Sequence, residues 1–209
     1  MSRPLVVTDC DEVLLHMVVP WSEWLREQHG IAFSLNGNDF VRSMRRADGA
    51  PVTPQDVWHL LDLFFRHEME RQYPIAGAVA AMQELSHHAD VVVLTNLTDD
   101  HRAGRAAQLL GHGLDLKVYT NQGPKGPALQ RIHAEYAPSR AVFIDDIALH
   151  HGSVAELAPA VHRLHLCGEP QMAPHIRCAH RAGHAHARID RWDSALPWLL
   201  ARLNGDEND

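Results

Sequence analysis

The sequence predicts an α/β protein, a three-layer sandwich around a parallel sheet of about five strands. Three observations carry that expectation. Five short runs, Leu5 to Thr8, Val91 to Thr95, Lys117 to Thr120, Ala141 to Ile144 and Val161 to Leu166, are separated by helix-length segments. Most of these runs are continuously apolar rather than alternating, as expected of strands buried on both faces of a parallel sheet. The length of 209 residues exceeds the commonest domain size without reaching two, which fits one core carrying an insertion.

The first strand ends in Thr8-Asp9-Cys10-Asp11. The second does not begin until Val91, too far for one crossover helix. Residues 15–73 therefore read as an insertion, and residues 1–14 with 74–209 as the Rossmann-like core. Within the insertion, helices are expected over Pro20 to His29, Asp39 to Arg46 and Pro54 to Arg71. The last would be capped by Thr53, with Pro54 at its first position, where the missing N–H costs nothing. Gly30, Gly37, Gly49 and Pro51 punctuate the stretch. Ile75 to His88 then reads as the crossover helix. Asp99 or Asp100 can cap a helix over Arg102 to Leu110, ended by Gly111 and Gly113, and Pro124 suits the first turn of a helix reaching Tyr136. The segment from Gly168 to His186, rich in Pro, His, Arg and Gly, reads as a surface wander. A terminal helix, Ser194 to Leu203, should pack back through Trp198 and Leu199, with Gly205 to Asp209 frayed.

Composition narrows the function classes. Hydrophobic residues make up 45% and charged residues 22%, which is ordinary for a globular protein and unlike a disordered chain. The formal charge of −7 and the lack of any basic run argue against nucleic acid as a partner, since a phosphate backbone requires a basic face. No apolar stretch approaches the roughly 20 residues of a membrane span, and Met1 to Asp11 meets acidic residues too soon for a signal peptide. Three scattered cysteines, Cys10, Cys167 and Cys178, fit a reducing cytoplasm. A cytoplasmic protein is expected, its oligomeric state open.

The polar residues fall where chemistry can gather. In open parallel sheets, ligands bind at the carboxyl ends of strands where the strand order reverses. Asp9 and Asp11 lie two apart beyond the first strand, so both fall on one side, where like charges need a cation or a shared proton. The second strand ends in Thr95-Asn96, the segment after the third holds Lys125, and the fourth ends in Asp145-Asp146. Each alone is also a plausible cap or solvated residue. Together they bring acid, hydroxyl, lysine and acid to one sheet edge.

This ordered set resembles the haloacid dehalogenase (HAD) superfamily, specifically its phosphatase branch with a helical cap inserted between the first and second motifs. The match spans Leu5 to about Leu166. The resemblance implies that Asp9 is the nucleophile forming an aspartyl-phosphate, and that Asp11 is the general acid for the leaving alkoxide and then the base for water. It implies that Mg2+ binds the Asp9 carboxylate, the Asp11 backbone carbonyl and either Asp145 or Asp146. Thr95 with Asn96 and Lys125 would hold phosphate oxygens, and residues 15–73 would form the small helical cap. The substrate implied is a small phosphorylated metabolite, cleaved as a phosphomonoester.

Asp11 favours phosphoryl chemistry, because the halide-removing members lack the second aspartate. Relatives that cleave phosphonates use a cap lysine, and this chain has no lysine before Lys117. A phosphosugar mutase uses the same aspartates and is the alternative within enzymology; a catalytically idle HAD domain that binds a phosphorylated ligand is the alternative outside it. Glu12 supports the latter, since the family commonly has Gly there; a carboxylate facing inward would repel phosphate, so Glu12 is expected to point outward. Arg42, Arg45 and Arg46 share one expected helix and read as a solvated basic face, with an anion clamp as the sharper option. Trp21, Trp24 and Trp58 read as insertion core. Cys178, His180, His184 and His186 have zinc-capable side chains at spacings that match no structural zinc pattern. His150 and His151 begin the helix after the fourth strand and read as packing residues.

Overall fold

A computed structural model describes residues 2–34 and 40–206. Its sheet has six parallel strands: β1 (Leu5–Thr8), β4 (Asp90–Thr95), β5 (Lys117–Thr120), β6 (Ala141–Asp145), β7 (His162–His165) and β8 (Ala187–Arg188). β2 (Ala32–Phe33) and β3 (Met44–Arg45) form a separate antiparallel pair. The spatial order is β5-β4-β1-β6-β7-β8, with β1 at the centre. The chain first builds outward from β1 through β4 to β5, then returns to its other side at β6, so the order reverses at β1.

The apolar strands divide by alternation. Val6, Val91, Val93, Val142, Ile144 and Leu164 face one side and pack with α3 (Ala78–His88), α4 (Arg102–Gly111) and α7 (Trp192–Asn204). Leu5, Val7, Val92, Leu94 and Phe143 face the other, against α5 (Gly126–Tyr136) and α6 (Ala148–Leu157). These are the three layers. Trp192, fully buried, ties α7 to the segment after β1 by donating its indole N–H to the Val13 carbonyl at 2.8 Å.

Between β1 and α3 the chain forms α1 (Val18–His29), β2, β3 and α2 (Pro54–His67) around their own core of Trp21, Trp24, Leu25, Met44, Val57 and Phe64. Thr53 caps α2 by accepting from the Asp56 N–H at 3.2 Å, with Pro54 at the first position. α2 stops at His67, and Met69–Arg71 continues as a separate 3₁₀ turn. The expected helix from Asp39 to Arg46 does not form over its described part. Val41–Ser43 is a 3₁₀ turn and Met44–Arg45 is a strand, because Met44 buries itself against the insertion core while Arg45 faces solvent. Asp39, like Gly37, lies outside the described residues, as do Glu207 to Asp209 of the tail. The three arginines therefore share no helical face. Arg46 pairs with Asp56 at 2.8 Å, and Arg45 donates to the Arg42 and Met44 carbonyls. Trp58 is 60% exposed and is not core.

Two further corrections concern the second half. Pro124 precedes α5 rather than entering it, and Pro127 occupies the first turn. Gly168 to His186 does run as turns and loops, mostly at the surface, but just past it β8 adds an unexpected sixth strand beside β7, pairing Leu164 with Ala187 and His165 with Arg188. Ala137 closes α5 in the left-handed conformation at φ 42°, a region that costs a non-glycine residue about 1 kcal/mol or more. Ala137→Gly is therefore expected to stabilise the fold by about 0.5–1 kcal/mol, read as a higher denaturant midpoint at unchanged slope.

Candidate active site

The sheet places its polar strand ends together. Asp9 extends the β1 ladder by donating its N–H to the Ile144 carbonyl at 2.8 Å, and its side chain is buried at the switch point between β4 and β6. Asp9 Oδ1 accepts from the Cys10 N–H at 2.7 Å and lies 2.8 Å from Lys125 Nζ. Among the described residues no donor reaches Asp9 Oδ2.

Lys125, fully buried, sits just before α5. Its ammonium bridges Asp9 Oδ1 and Asp145 Oδ2, the latter at 2.7 Å. Its place depends on Gly126, whose N–H donates to Ser153 Oγ at 3.1 Å. A Cβ there would lie 2.5 Å from the Ser153 carbonyl oxygen, so only glycine lets α5 approach α6 this closely.

Both oxygens of Asp145 are engaged, Oδ2 by Lys125 and Oδ1 by the Ile147 N–H at 2.8 Å. Asp146 is buried, and no described side chain hydrogen-bonds its carboxylate. Carboxylate oxygens of Asp9, Asp145 and Asp146 lie within 4.8 Å of one another. Burial raises the Asp9 carboxyl to about 7, with Asp145 and Asp11 adding to the rise against the pull of Lys125. Burial and the charges of Asp145 and Asp9 push Asp146 well above the carboxylate range. Burial pushes on Asp145 too, but there Lys125 and the neighbouring imidazoles outweigh it and hold the carboxyl low. A buried, oxygen-only group that must protonate for want of positive charge suits a hard divalent cation. Asp146, whose carboxylate no described donor reaches, is the residue most able to hold one, with the Asp9 and Asp145 carboxylates beside it.

Thr95 is buried at the end of β4, and its carbonyl accepts from the Asn121 N–H at 2.9 Å. Asn96 is tied to the following loop. Its amide donates to the Gly123 carbonyl and accepts from Asn121, both at 2.9 Å. His150 Nε2 lies 3.4 Å from the Asn96 amide nitrogen, and burial lowers this imidazole to about 4. His151 donates through Nε2 to the Asp145 carbonyl at 2.9 Å. Both histidines are buried in α6, close behind the acids.

Asp11 is placed differently. Its Oδ1 accepts from Gln72 Nε2 at 2.7 Å and Arg105 Nη2 at 2.8 Å, and Arg105 also reaches Oδ2 at 3.1 Å. Arg105 is fully buried, with Cys10 Sγ at 3.2 Å and Phe65 beneath its guanidinium. Neither Gln72 nor Arg105 was visible as a site residue in the sequence. The available signal was spacing: Arg105 lies four residues before the buried Leu109 on α4, a charge on the helix's apolar stripe.

Glu12 does not point outward. It adopts the left-handed conformation at φ 60° and is buried, with Oε1 accepting from the Met17 and Val18 N–H groups at 2.9 and 2.6 Å. Burial raises its carboxyl to about 7. A second group, Glu12, His16 and Glu169, has ligand atoms within 4.8 Å of one another, with His16 Nδ1 2.7 Å from Glu169. The tail histidines are engaged elsewhere: His180 Nδ1 lies 3.1 Å from the Ala185 carbonyl, and His186 accepts from the Arg163 N–H. Among the described residues Cys178, His180, His184 and His186 form no metal-ligating group.

The sequence matches no family model and no curated protein. Solved structures resemble the fold along nearly its whole length. A HAD family hydrolase from Deinococcus radiodurans, described with bound phosphate and sodium, aligns at TM-score 0.65 and 20% identity, covering 96% of each chain. A conserved haloacid dehalogenase-like protein of unknown function from Agrobacterium tumefaciens aligns at TM-score 0.65 and 19% identity, covering 96% of this chain and 98% of that one. A protein from Haemophilus somnus described as a predicted phosphoglycolate phosphatase aligns at TM-score 0.63 and 11% identity, covering 93% and 97%. The chain therefore has the haloacid dehalogenase-like fold. No helix among the described residues is long and apolar enough to cross a membrane.

The acid cluster predicts a pH-dependent response to magnesium. A cation must displace the protons that Asp9 and Asp146 retain, so its stabilisation of the fold should be largest above pH 7 and shrink as the pH falls through about 7. The measurement is the difference in melting temperature with magnesium and with chelator from pH 5 to 8.5. A difference of zero throughout, or one that grows on acidification, contradicts the site.

Proposed function

We propose that the protein is a magnesium-dependent hydrolase of small-molecule phosphomonoesters, a HAD-type phosphatase working through an aspartyl-phosphate on Asp9. One observation carries the reading: Asp9 stands at the switch point with Oδ1 fixed by Cys10 and Lys125 and Oδ2 left free of donors. That arrangement orients a carboxylate for attack on phosphorus. Residues 1–14 and 74–209 act as the core, and residues 15–73 act as the cap that covers the site.

In this reading Asp9 Oδ2 bonds to phosphorus as the ester P–O bond breaks, and water then cleaves the aspartyl-phosphate. Lys125, Thr95 and Asn96 bind the phosphoryl oxygens, and Lys125 also keeps Asp9 and Asp145 from repelling one another. Asp11 moves the proton, to the leaving oxygen and then from water, after turning away from Gln72. The carboxylates of Asp9 and Asp146, with Asp145 and the Asp11 backbone carbonyl, would hold magnesium, which would supply positive charge against the transferring phosphoryl group.

A second reading, a domain that binds a phosphorylated ligand without turnover, has one observation in its favour: Arg105 holds both oxygens of Asp11. Magnesium-dependent phosphate release from any ester in a screen of sugar phosphates, nucleotides and phospho-acids removes it.

Asp9→Asn is expected to leave less than a few per cent of phosphate release without lowering the melting temperature, since it removes a buried charge and keeps the shape. Retained activity would take Asp9 out of the role. Lys125→Arg is expected to lower kcat/KM about 10²-fold or more, nearly as far as Lys125→Ala. The ammonium is a compact charge in a fully buried slot between two carboxylates, and a planar guanidinium does not fit there. Near-normal turnover of Lys125→Arg would leave only a diffuse positive field to act.

A further inference from the structure

A cavity of about 460 Å3 opens beside Asp146, its wall mostly apolar through Ile147, Leu149, Met172 and Ile176. His175, Arg177, Cys178 and His184 are its other polar groups. Ile147 and Leu149 are among the few large apolar side chains left open, 45% and 66% exposed. One such side chain needs no explanation, but several enclosing a cavity next to an acid do. The size suits a compact small molecule, and binding pockets are typically apolar with a few polar groups that fix orientation. The link to the chemistry is metric: carboxylate oxygens of Asp146 and Asp9 lie within 4.8 Å. Asp146 alone stands between this wall and Asp9, a span that the alcohol part of an ester on Asp9 can bridge. The adjoining cavity of about 450 Å3, lined by Val18, Ser22, Glu169 and Gln171 among others, carries a carboxylate and offers a more polar wall.

Resting on the phosphohydrolase reading above, we propose that the alcohol portion of the substrate is a compact apolar body, an aromatic or aliphatic ring, seated against Ile147, Leu149, Met172 and Ile176. The polar groups of the lining, His175, Arg177, Cys178 and His184, would meet only part of a polyhydroxylated sugar, and the rest of its hydration would be given up to four side chains that return no hydrogen bond.

Two measurements on the full chain with magnesium test this. In calorimetric titrations, benzylphosphonate should bind at least tenfold more tightly than methylphosphonate, about 1.4 kcal/mol. Leu149→Asn, at an exposed position that the fold does not depend on, should cut that ratio at least threefold. Equal affinities for the two phosphonates would overturn the inference. In phosphate-release assays, benzyl phosphate should exceed glucose 6-phosphate at least tenfold in kcat/KM; both are esters of primary alcohols, so leaving-group chemistry does not set the difference. Release from both without that preference overturns the apolar assignment and leaves the hydrolase standing. Release from neither of these nor from any ester of the wider screen, with the tenfold binding difference intact, overturns the hydrolase and supports the ligand class.

Discussion

One buried ammonium holds this site together. Lys125 stands between Asp9 and Asp145, at 2.8 and 2.7 Å, with no exposure to solvent. Around it the fold gathers Asp9, Glu12, Asp145 and Asp146, all buried, while Asp11 is matched separately by Arg105. One cation cannot offset four carboxylates in a poorly solvated region. The deficit appears as proton uptake, with Asp9 and Glu12 at about 7 and Asp146 well above its ordinary range. Asp145 alone stays low, because it has the ammonium, two imidazoles and the Ile147 N–H. The rest of the core serves this arrangement: parallel register delivers the acids from adjacent strands, and Gly126 lets α5 come close enough to α6 to carry Lys125 inward.

Glu12 shows how the same region connects to the insertion. α1 begins at Val18 with neither a side-chain cap nor an acid in its first turn. Glu12 supplies both from outside the helix, receiving the Met17 and Val18 N–H groups on one oxygen. Its left-handed backbone is the cost of the geometry. The helix end favours a carboxylate, yet burial outweighs it and the carboxyl rises to about 7. Glu12, where the family this chain resembles commonly has glycine, thus caps a helix rather than pointing to water.

The legible parts of this protein were those written in local pattern. Short runs, most of them continuously apolar, marked five of the six sheet strands, and the polar residues beyond them gave the acids, Thr95 and Lys125. Thr53-Pro54 marked the start of α2. What stayed hidden depended on contacts distant in sequence. β8 is two residues long and is a strand only because β7 offers it an edge. Val41 to Arg45 becomes a turn and strand because Met44 finds the insertion core, an outcome that arginine-rich composition cannot signal. Arg105 pairs with Asp11 across 94 positions, and Gln72 across 61.

Those last two contacts bear on how the insertion and the core act on each other. Gln72 closes the insertion, whereas Arg105 belongs to α4 of the core, and both grip Asp11 Oδ1. The same seam carries His101 against Asp62 at 2.9 Å, Arg105 over the Phe65 ring, and Gln108 hydrogen-bonded to the Met69 carbonyl. Movement of residues 15–73 that draws Gln72 away removes one of the three donor contacts on Asp11 and leaves the Arg105 pair. Turning the carboxylate further means breaking a fully buried guanidinium contact, which costs several kcal/mol unless another anion takes its place. Under the proposed function, a phosphate ester entering the site would bring such an anion. The freedom of Asp11 is therefore tied both to the position of the insertion and to what occupies the site.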